Sequence, residues 1–264
     1  MSKVDVSVVM AEYNTKEKDL DAAIKSILQQ TFKNFEFIIV DDCGKNDLDE
    51  IVKRYNDKRI KIVKNDRNRG FVYSLNHGIK EAKGKYIVRM DTDDISDSTR
   101  IEKLYNYIEN HPEYAVVGTK AIEFSENQEF GILGKAGEKT KKDIMKGNII
   151  IHASAIIKKE ALCKIGYYKE YTRAEDLVLW CELLLAGYRL YTIDEALYKY
   201  RTNPQDYKKR KLKYRAGEIK ARLTYYPKMG ASLTDYLYII KSIISGIMPI
   251  WFVRYYRKKF VLNK

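Results

Sequence analysis

The chain has 264 residues, 45% hydrophobic and 32% charged, with only 14 Gly and 4 Pro; this composition excludes a disordered, collagenous or low-complexity chain. Residues 201–264 hold 16 Lys and Arg against 3 Asp and Glu, while the first 200 hold 33 of each, so the whole net charge of +13 sits in the last quarter. A neutral body with a basic tail confines any attraction for polyanions to the tail.

Cys43, Cys163 and Cys181 are odd in number and form no CxxC pair, which points away from a disulfide framework or zinc site and toward a reducing compartment. The apolar run near the amino terminus is too short and mixed for a signal peptide, so the body is expected in the cytosol. The most apolar stretch, Tyr236 to Val253, contains Lys241 and Pro249 and does not read as a membrane-spanning helix.

Taken in chain order, Val4 to Met10 is a short β-branched run, and Leu20, Ala23, Ile24, Ile27 and Leu28 then recur at helical spacing before a buried run from Phe35 to Val40. The alternation continues with a helix around Leu48 to Tyr55, a strand Ile60 to Val63, a helix Phe71 to Ala82 and a strand Tyr86 to Met90. Four strands separated by helical crossovers predict an α/β fold with a parallel sheet covered on both faces. Ligands of such sheets bind beyond the carboxyl ends of the strands. Asp97 or Ser98 is expected to cap a helix bearing Ile101, Leu104, Tyr105 and Ile108. From Tyr114 to Ile157 the pattern is poorer: AVVGTKAIEF reads as strand, GILGKAG as a turn-rich excursion, ASAII as strand, with no derivable pairing. Ala174 to Ala186 reads as a helix stopped by Gly187.

The polar residues that follow these strands are Ala11-Glu12-Tyr13-Asn14, Asp41-Asp42 and Asp91-Thr92-Asp93-Asp94. Asp91 and Asp93, two positions apart on a turn after an apolar strand, have the hard oxygen ligands that Mg or Mn prefers, and such a cation leaves positions open for a diphosphate. The competing explanation is that Asp simply populates loops and caps. Glu175 and Asp176 open the Trp180 helix, either as acids favourably placed at a helix amino terminus or as a general base; spacing alone does not choose between them, nor between the two residues. His152 is the one histidine in a plausible site position, and a lone His is commonly structural. Neither G-x-G-x-x-G nor G-x-x-x-x-G-K-[ST] occurs, which disfavours a dinucleotide dehydrogenase or a P-loop enzyme.

The segments VSVVMAEYNTKEKDLDAAIKSILQQTFKNFEFIIVDD, NRGFVYSLNHGIKEAKGKYIVRMDTDD, IIHASAIIKK and RAEDLVLWCELLLAGYRLYTIDEALYKYR together resemble the family 2 glycosyltransferases of GT-A fold, in order and spacing, over about residues 4 to 201. The likeness is strongest to the bacterial branch that builds surface polysaccharides. It implies a Rossmann-like, mostly parallel sheet flanked by helices, with a nucleotide-sugar half over about 1–95, an acceptor half over about 96–201, and a basic helical extension over 202–264. It implies inverting transfer of a hexosyl or N-acetylhexosaminyl group, usually from a UDP-sugar, to a glycan or lipid-linked acceptor. By the same resemblance the backbone of Ala11 to Tyr13, with Asp41, would hold the nucleoside. Asp91 and Asp93 would hold the metal and diphosphate, Asp93 more directly, and Asp176 of the Glu175–Asp176 pair would be the catalytic base. Three departures stand out: Ala11-Glu12 where a Pro is common, Cys43-Gly44 in place of Gly-Ser, and no His after Tyr200-Arg201. The last leaves Arg201 or the tail as partners of the diphosphate.

In the tail, KKRKLKYR (208–215) and RYYRKKF (254–260) flank Leu233, Tyr236, Leu237, Ile240, Ile244 and Ile247 at helical spacing. Lys and Arg around an amphipathic, aromatic-bearing segment form the pattern of a helix lying in an anionic membrane surface. The expected place of the protein is therefore the cytoplasmic face of a membrane. The alternative is that the segment packs on the catalytic domain, or on a second copy to give a homodimer. Two other functions compete: nucleic-acid binding by the Tyr-rich basic tail, which the acidic strand ends disfavour so that no nucleic acid is expected, and sugar-phosphate nucleotidyl transfer, which normally needs a Gly-rich loop that AEYNTKEKDL lacks.

Overall fold

The computed structural model describes residues 4–126, 128–203, 211–249, and 251, 252, 255, 256, 259 and 262. Parts of both basic runs, Lys208 to Arg210 and Arg254, Arg257, Lys258 and Phe260, lie outside the described residues.

The first half is the predicted alternation. It runs β1 (Val6–Glu12), α1 (Glu17–Leu28), β2 (Phe35–Asp41), α2 (Leu48–Lys53), β3 (Ile60–Lys64), α3 (Phe71–Glu81) and β4 (Tyr86–Met90). Strands β3, β2, β1 and β4 lie side by side in that order, all parallel. Side chains alternate across a strand, and the two faces of the sheet enter two separate cores. Val6, Val8 and Met10 join Leu20, Ala23, Ile24 and Ile27 of α1, while Val9 joins Val72, Leu75 and Ile79 of α3. Burial on both sides explains the near-continuous apolar run of β1.

The second half departs from simple alternation. It comprises β5 (Ile95–Ser96), α4 (Arg100–Asn110), β6 (Tyr114–Ser125), β7 (Gln128–Leu133), β8 (Gly137–Lys139), α5 (Lys141–Met145), β9 (Ile156–Lys158), α6 (Lys159–Ile165), α7 (Glu175–Leu185) and β10 (Arg189–Arg201). Strand β9 inserts antiparallel between β4 and β6, β10 runs parallel to β6, and β5 pairs antiparallel with the end of β10. The turn-rich reading of GILGKAG is corrected: its first residues belong to β7, paired with β6, and β8 follows on β10. The start of ASAII is also corrected, since Ser154 ends a 3₁₀ turn and the strand begins at Ile156. Neither Asp97 nor Ser98 caps α4. Thr99 holds the N-cap position without a side-chain bond, and Asp97 Oδ1 instead accepts from Thr99 N and Oγ1 at 2.9 and 2.7 Å, an Asx-type turn that consumes the would-be cap.

Two helices of the tail pack on this body. α8 (Ala216–Lys228) places Ala221, Tyr225 and Tyr226 in the same core as Trp180 of α7; Tyr226 donates to Met145 O at 2.7 Å and Tyr225 to Glu182 Oε1 at 2.5 Å. α9 (Leu237–Ile247) packs through Ile239, Ser242 and Gly246. At Gly217 and Gly246 the approach is so close that only glycine fits: a Cβ would stand 2.0 Å from Thr172 O and 2.9 Å from Leu212 Cα. No helix among the described residues is long and apolar enough to cross a membrane.

Candidate active site

The carboxyl ends of β1, β2 and β4 form one polar edge. After β1, Glu12 turns inward and is fully buried. Its Oε1 accepts from Thr15 N at 2.9 Å and Asn46 Nδ2 at 2.8 Å, so Glu12 ties the first strand-end loop to the second. Burial and the nearby Asp41 charge push its carboxyl up against these bonds. Tyr13 is about half exposed beside Ala11. The two aspartates after β2 divide their work. Asp42 is buried and fully engaged, accepting from Asn65 Nδ2, Arg69 N and Gly70 N at 2.7, 2.7 and 2.9 Å. Asp41 is partly exposed and accepts from the Cys43 backbone at 3.0 Å, leaving it the more accessible of the pair.

The Asp91–Asp94 turn is braced on three sides. Thr15 Oγ1 donates to Thr92 Oγ1 at 2.7 Å, the Asp91 backbone donates to Tyr198 Oη at 3.2 Å, and Arg201 donates from its backbone to Asp94 Oδ1 at 2.7 Å and from Nε to the Asp93 carbonyl at 2.6 Å. Arg201 also pairs with Asp19 and lies over Phe124. Its guanidinium is thus packed against the turn, whereas the sequence offered it as a diphosphate ligand. Asp94 is buried, and burial together with the charges of Asp91 and Asp93 holds its carboxyl well above the usual range against hydrogen bonds from the Arg201 backbone and Tyr198.

A cavity of about 910 Å³ opens beside this edge and brings together groups far apart in the chain: Asp91 from the turn, Glu175 and Asp176 from the start of α7, and His152. The helix start therefore faces the aspartate turn. Burial raises both α7 carboxyls, Glu175 further through the charge of Asp176, while Asp176 Oδ1 accepts from Leu177 N at 2.7 Å. Ala11, Tyr13, Asp41, Asp93 and Arg201 do not line this cavity; they belong to the neighbouring strand-end edge. His152 Nε2 is 2.7 Å from Tyr168 Oη, and burial and then the charge of Arg89 hold the imidazole well below its usual value, hence neutral.

Arg89 is the residue that the sequence reading missed. It is buried in β4, ion-paired with Asp91, and its guanidinium lies 4.9 Å from the centroid of Phe71, with Nε lacking a hydrogen-bond partner. The available signal was a charged residue inside a strand that otherwise reads as fully buried. Four exposed cations, Lys135, Lys146, Arg173 and Lys241, also line the cavity. None of the four makes an ion pair among the described residues.

Among the described residues no three His, Cys, Asp or Glu side chains form a ready cage for a metal ion. The turn nevertheless suits a hard cation that takes most of its ligands from a substrate. Burial first, and then the charges of Asp91 and Asp93, raise Asp94, and carboxylates with open neighbouring positions are the donor set of Mg or Mn beside phosphate.

The model of the family described as Glycosyl transferase family 2 matches residues 7–166. The putative glycosyltransferase EpsE of Bacillus subtilis is 36% identical over 98% of this chain and 95% of its own length. WfaP of Escherichia coli, a UDP-Glc:alpha-D-GlcNAc-diphosphoundecaprenol beta-1,3-glucosyltransferase, is 30% identical over 69% of this chain and 71% of its own. Among solved structures, S. aureus TarS 1-349 in complex with UDP-GlcNAc superposes with a TM-score of 0.66 at 18% identity, covering 97% of this chain and 92% of that one.

Proposed function

The chain belongs to glycosyl transferase family 2, and from that premise we propose that it moves a sugar from a nucleoside diphosphate donor, a UDP-sugar, to a glycan or lipid-linked saccharide in surface polysaccharide synthesis, with inversion at the anomeric carbon. The observation that carries this reading is that Asp91 and the Glu175–Asp176 pair line one cavity. The UDP-sugar named for WfaP and the UDP-GlcNAc bound in TarS support the donor class.

In this reading Asp41 and the backbone of Ala11 to Tyr13 hold the nucleoside. Asp93 and Asp91 would hold a divalent cation, Mn or Mg, which when bound neutralises charge on the diphosphate leaving group. Arg201, with Thr15 and Tyr198, keeps the turn in place. Asp176 removes the proton from the acceptor hydroxyl as its oxygen attacks the anomeric carbon and the bond to the diphosphate breaks. A raised carboxyl pKa strengthens Asp176 as a base. Arg89 keeps the cluster of acids from being uniformly repulsive to an anionic donor. The catalytic body would comprise residues 1–201 with α8 completing its core, and the outward side of the basic remainder would meet the cytoplasmic face of an anionic membrane.

The test is a panel of nucleotide sugars with Mn or Mg, read as enzyme-dependent nucleotide release and product anomeric configuration. Asp93→Ala is expected to abolish transfer and metal-stimulated donor binding, and Asp176→Asn to abolish transfer with donor binding retained. Full activity in both variants, or retention of configuration, overturns the mechanism.

A further inference from the structure

α9 differs from an ordinary surface helix, whose apolar stripe faces the core, in carrying a second apolar row on its outward side. The face that packs on the body is small or polar at two of its three buried positions: Ile239, Ser242, which accepts from Arg215 Nη1 at 2.7 Å, and Gly246, pressed on Leu212. Ile243 also packs on the core beside Ile239, but four other large apolar residues point away. Leu237, Ile240, Ile244 and Ile247 are 48 to 69% exposed, spaced by three and four so that they share one side of the helix. Leu233 before it and Trp251 after it continue the exposed series at 90 and 70%.

The same helix also reaches the cavity. Lys241 lines it together with Tyr256, the ammonium 5.8 Å from the ring centroid, and Lys146 and Arg173 line the cavity as well. An apolar row and a set of exposed cations thus share one region of the molecule. We infer that the outward face of α9 seats the protein on an anionic lipid surface and that the cavity opens at that surface because α9 is part of its wall. That a lipid-linked acceptor would meet the cavity at this surface rests on the transferase reading; the seating of α9 does not.

Charge selects this occupant over a second copy. A symmetric pair joined through α9 would bring two tails, each carrying the chain's whole +13 surplus, against each other, whereas an anionic surface neutralises the same cations and accepts the apolar row between its headgroups. The inward packing at Gly246 means that the helix is already folded and oriented before it meets lipid, unlike a segment that must order on binding.

The experiment is co-sedimentation of the full chain with phosphatidylcholine vesicles with and without phosphatidylglycerol, across a salt series, comparing wild type with the triple variant Ile240→Ser, Ile244→Ser, Ile247→Ser. The three side chains are exposed, so the thermal midpoint and nucleotide-sugar binding should be unchanged. Partition onto the anionic vesicles should fall about tenfold or more, and wild-type binding should weaken with salt. Equal binding by both proteins, absence of wild-type binding to the anionic vesicles, or tight binding to random DNA without vesicle binding would each overturn the inference. So would a wild-type dimer in sedimentation velocity that the variant loses while vesicle binding persists. Vesicle binding by a protein that binds no nucleotide sugar would support the seating while removing the transferase reading.

Discussion

Arg89 and Asp91 stand two positions apart at the end of β4 and form an ion pair in which the guanidinium is 4% exposed and the carboxylate 31%. The period of the strand sets both on one side, and the buried cation acts electrostatically on Glu175, Asp176 and His152 as well. It is the buried positive counterweight to the acids Asp91, Glu175 and Asp176, distinct from the exposed cations that line the cavity.

Replacing Arg89 with Met should therefore destabilise at neutral pH, by less than the ~3–5 kcal/mol of a fully buried pair because Asp91 keeps contact with solvent. Without the cation the folded-state pKa values of the nearby carboxyls rise further above their unfolded values. The native state then binds more protons than the unfolded state, so the deficit should shrink as pH falls. Urea melts at pH 7 and pH 5.5 check the sign; a deficit that grows on acidification contradicts the argument.

Transfer should fall on acidification with an apparent pKa above that of an ordinary aspartate, because burial raises Asp176 and only its ionised form can take a proton. Asp176→Asn should lower kcat by about 10²- to 10⁴-fold with donor KM little changed, and Glu175→Gln should lower it less. A larger loss in Glu175→Gln would reverse the assignment within the pair.

Mn or Mg should raise the thermal midpoint near neutral pH, since a cation offsets the Asp91 and Asp93 charges that add to burial in raising Asp94. At a hundredfold excess over Kd the gain is about 2.7 kcal/mol. Asp93→Ala should lose the metal-dependent gain, whatever it does to the metal-free midpoint. Thermal scans with chelator and with metal separate the two effects.

Gly217→Ala should destabilise by about 1–3 kcal/mol, the typical cost of overpacking, as its Cβ would fall 2.0 Å from Thr172 O. Thr172 leads into Arg173, Glu175 and Asp176, so the strain should also reach the base. Steady-state kinetics should show kcat falling more than donor affinity.

The parallel half of the fold was legible because its strands and helices are long enough to display their periods, and the strand-end acids followed from the topology. Strands β5 and β8, of two and three residues, are too short to carry a period, which is why their pairing was not derivable. The cavity that joins Asp91 to Asp176 depends on long-range packing of α7 against the sheet, a relation that spacing does not encode. Arg89 escaped notice because a charge in a buried strand reads as an interruption until its partner is seen. Arg201 is offered by its position in the sequence as a partner of the diphosphate, and only the fold shows its hydrogen bonds to Asp93 and Asp94. On α9 the spacing revealed a stripe without revealing which side of the helix the body covers.

The stitching of Arg201 to the carbonyl of Asp93 and the carboxylate of Asp94, with Tyr225 and Tyr226 sunk into the core, bears on how the tail can be studied. A truncation at residue 200 would remove a clamp on the aspartate turn, and one at 202 would open the core beside Trp180. Either shortened protein would lose activity for reasons unrelated to where the protein resides, so the role of the tail is accessible only through substitutions on the outward side of α9 in the intact chain.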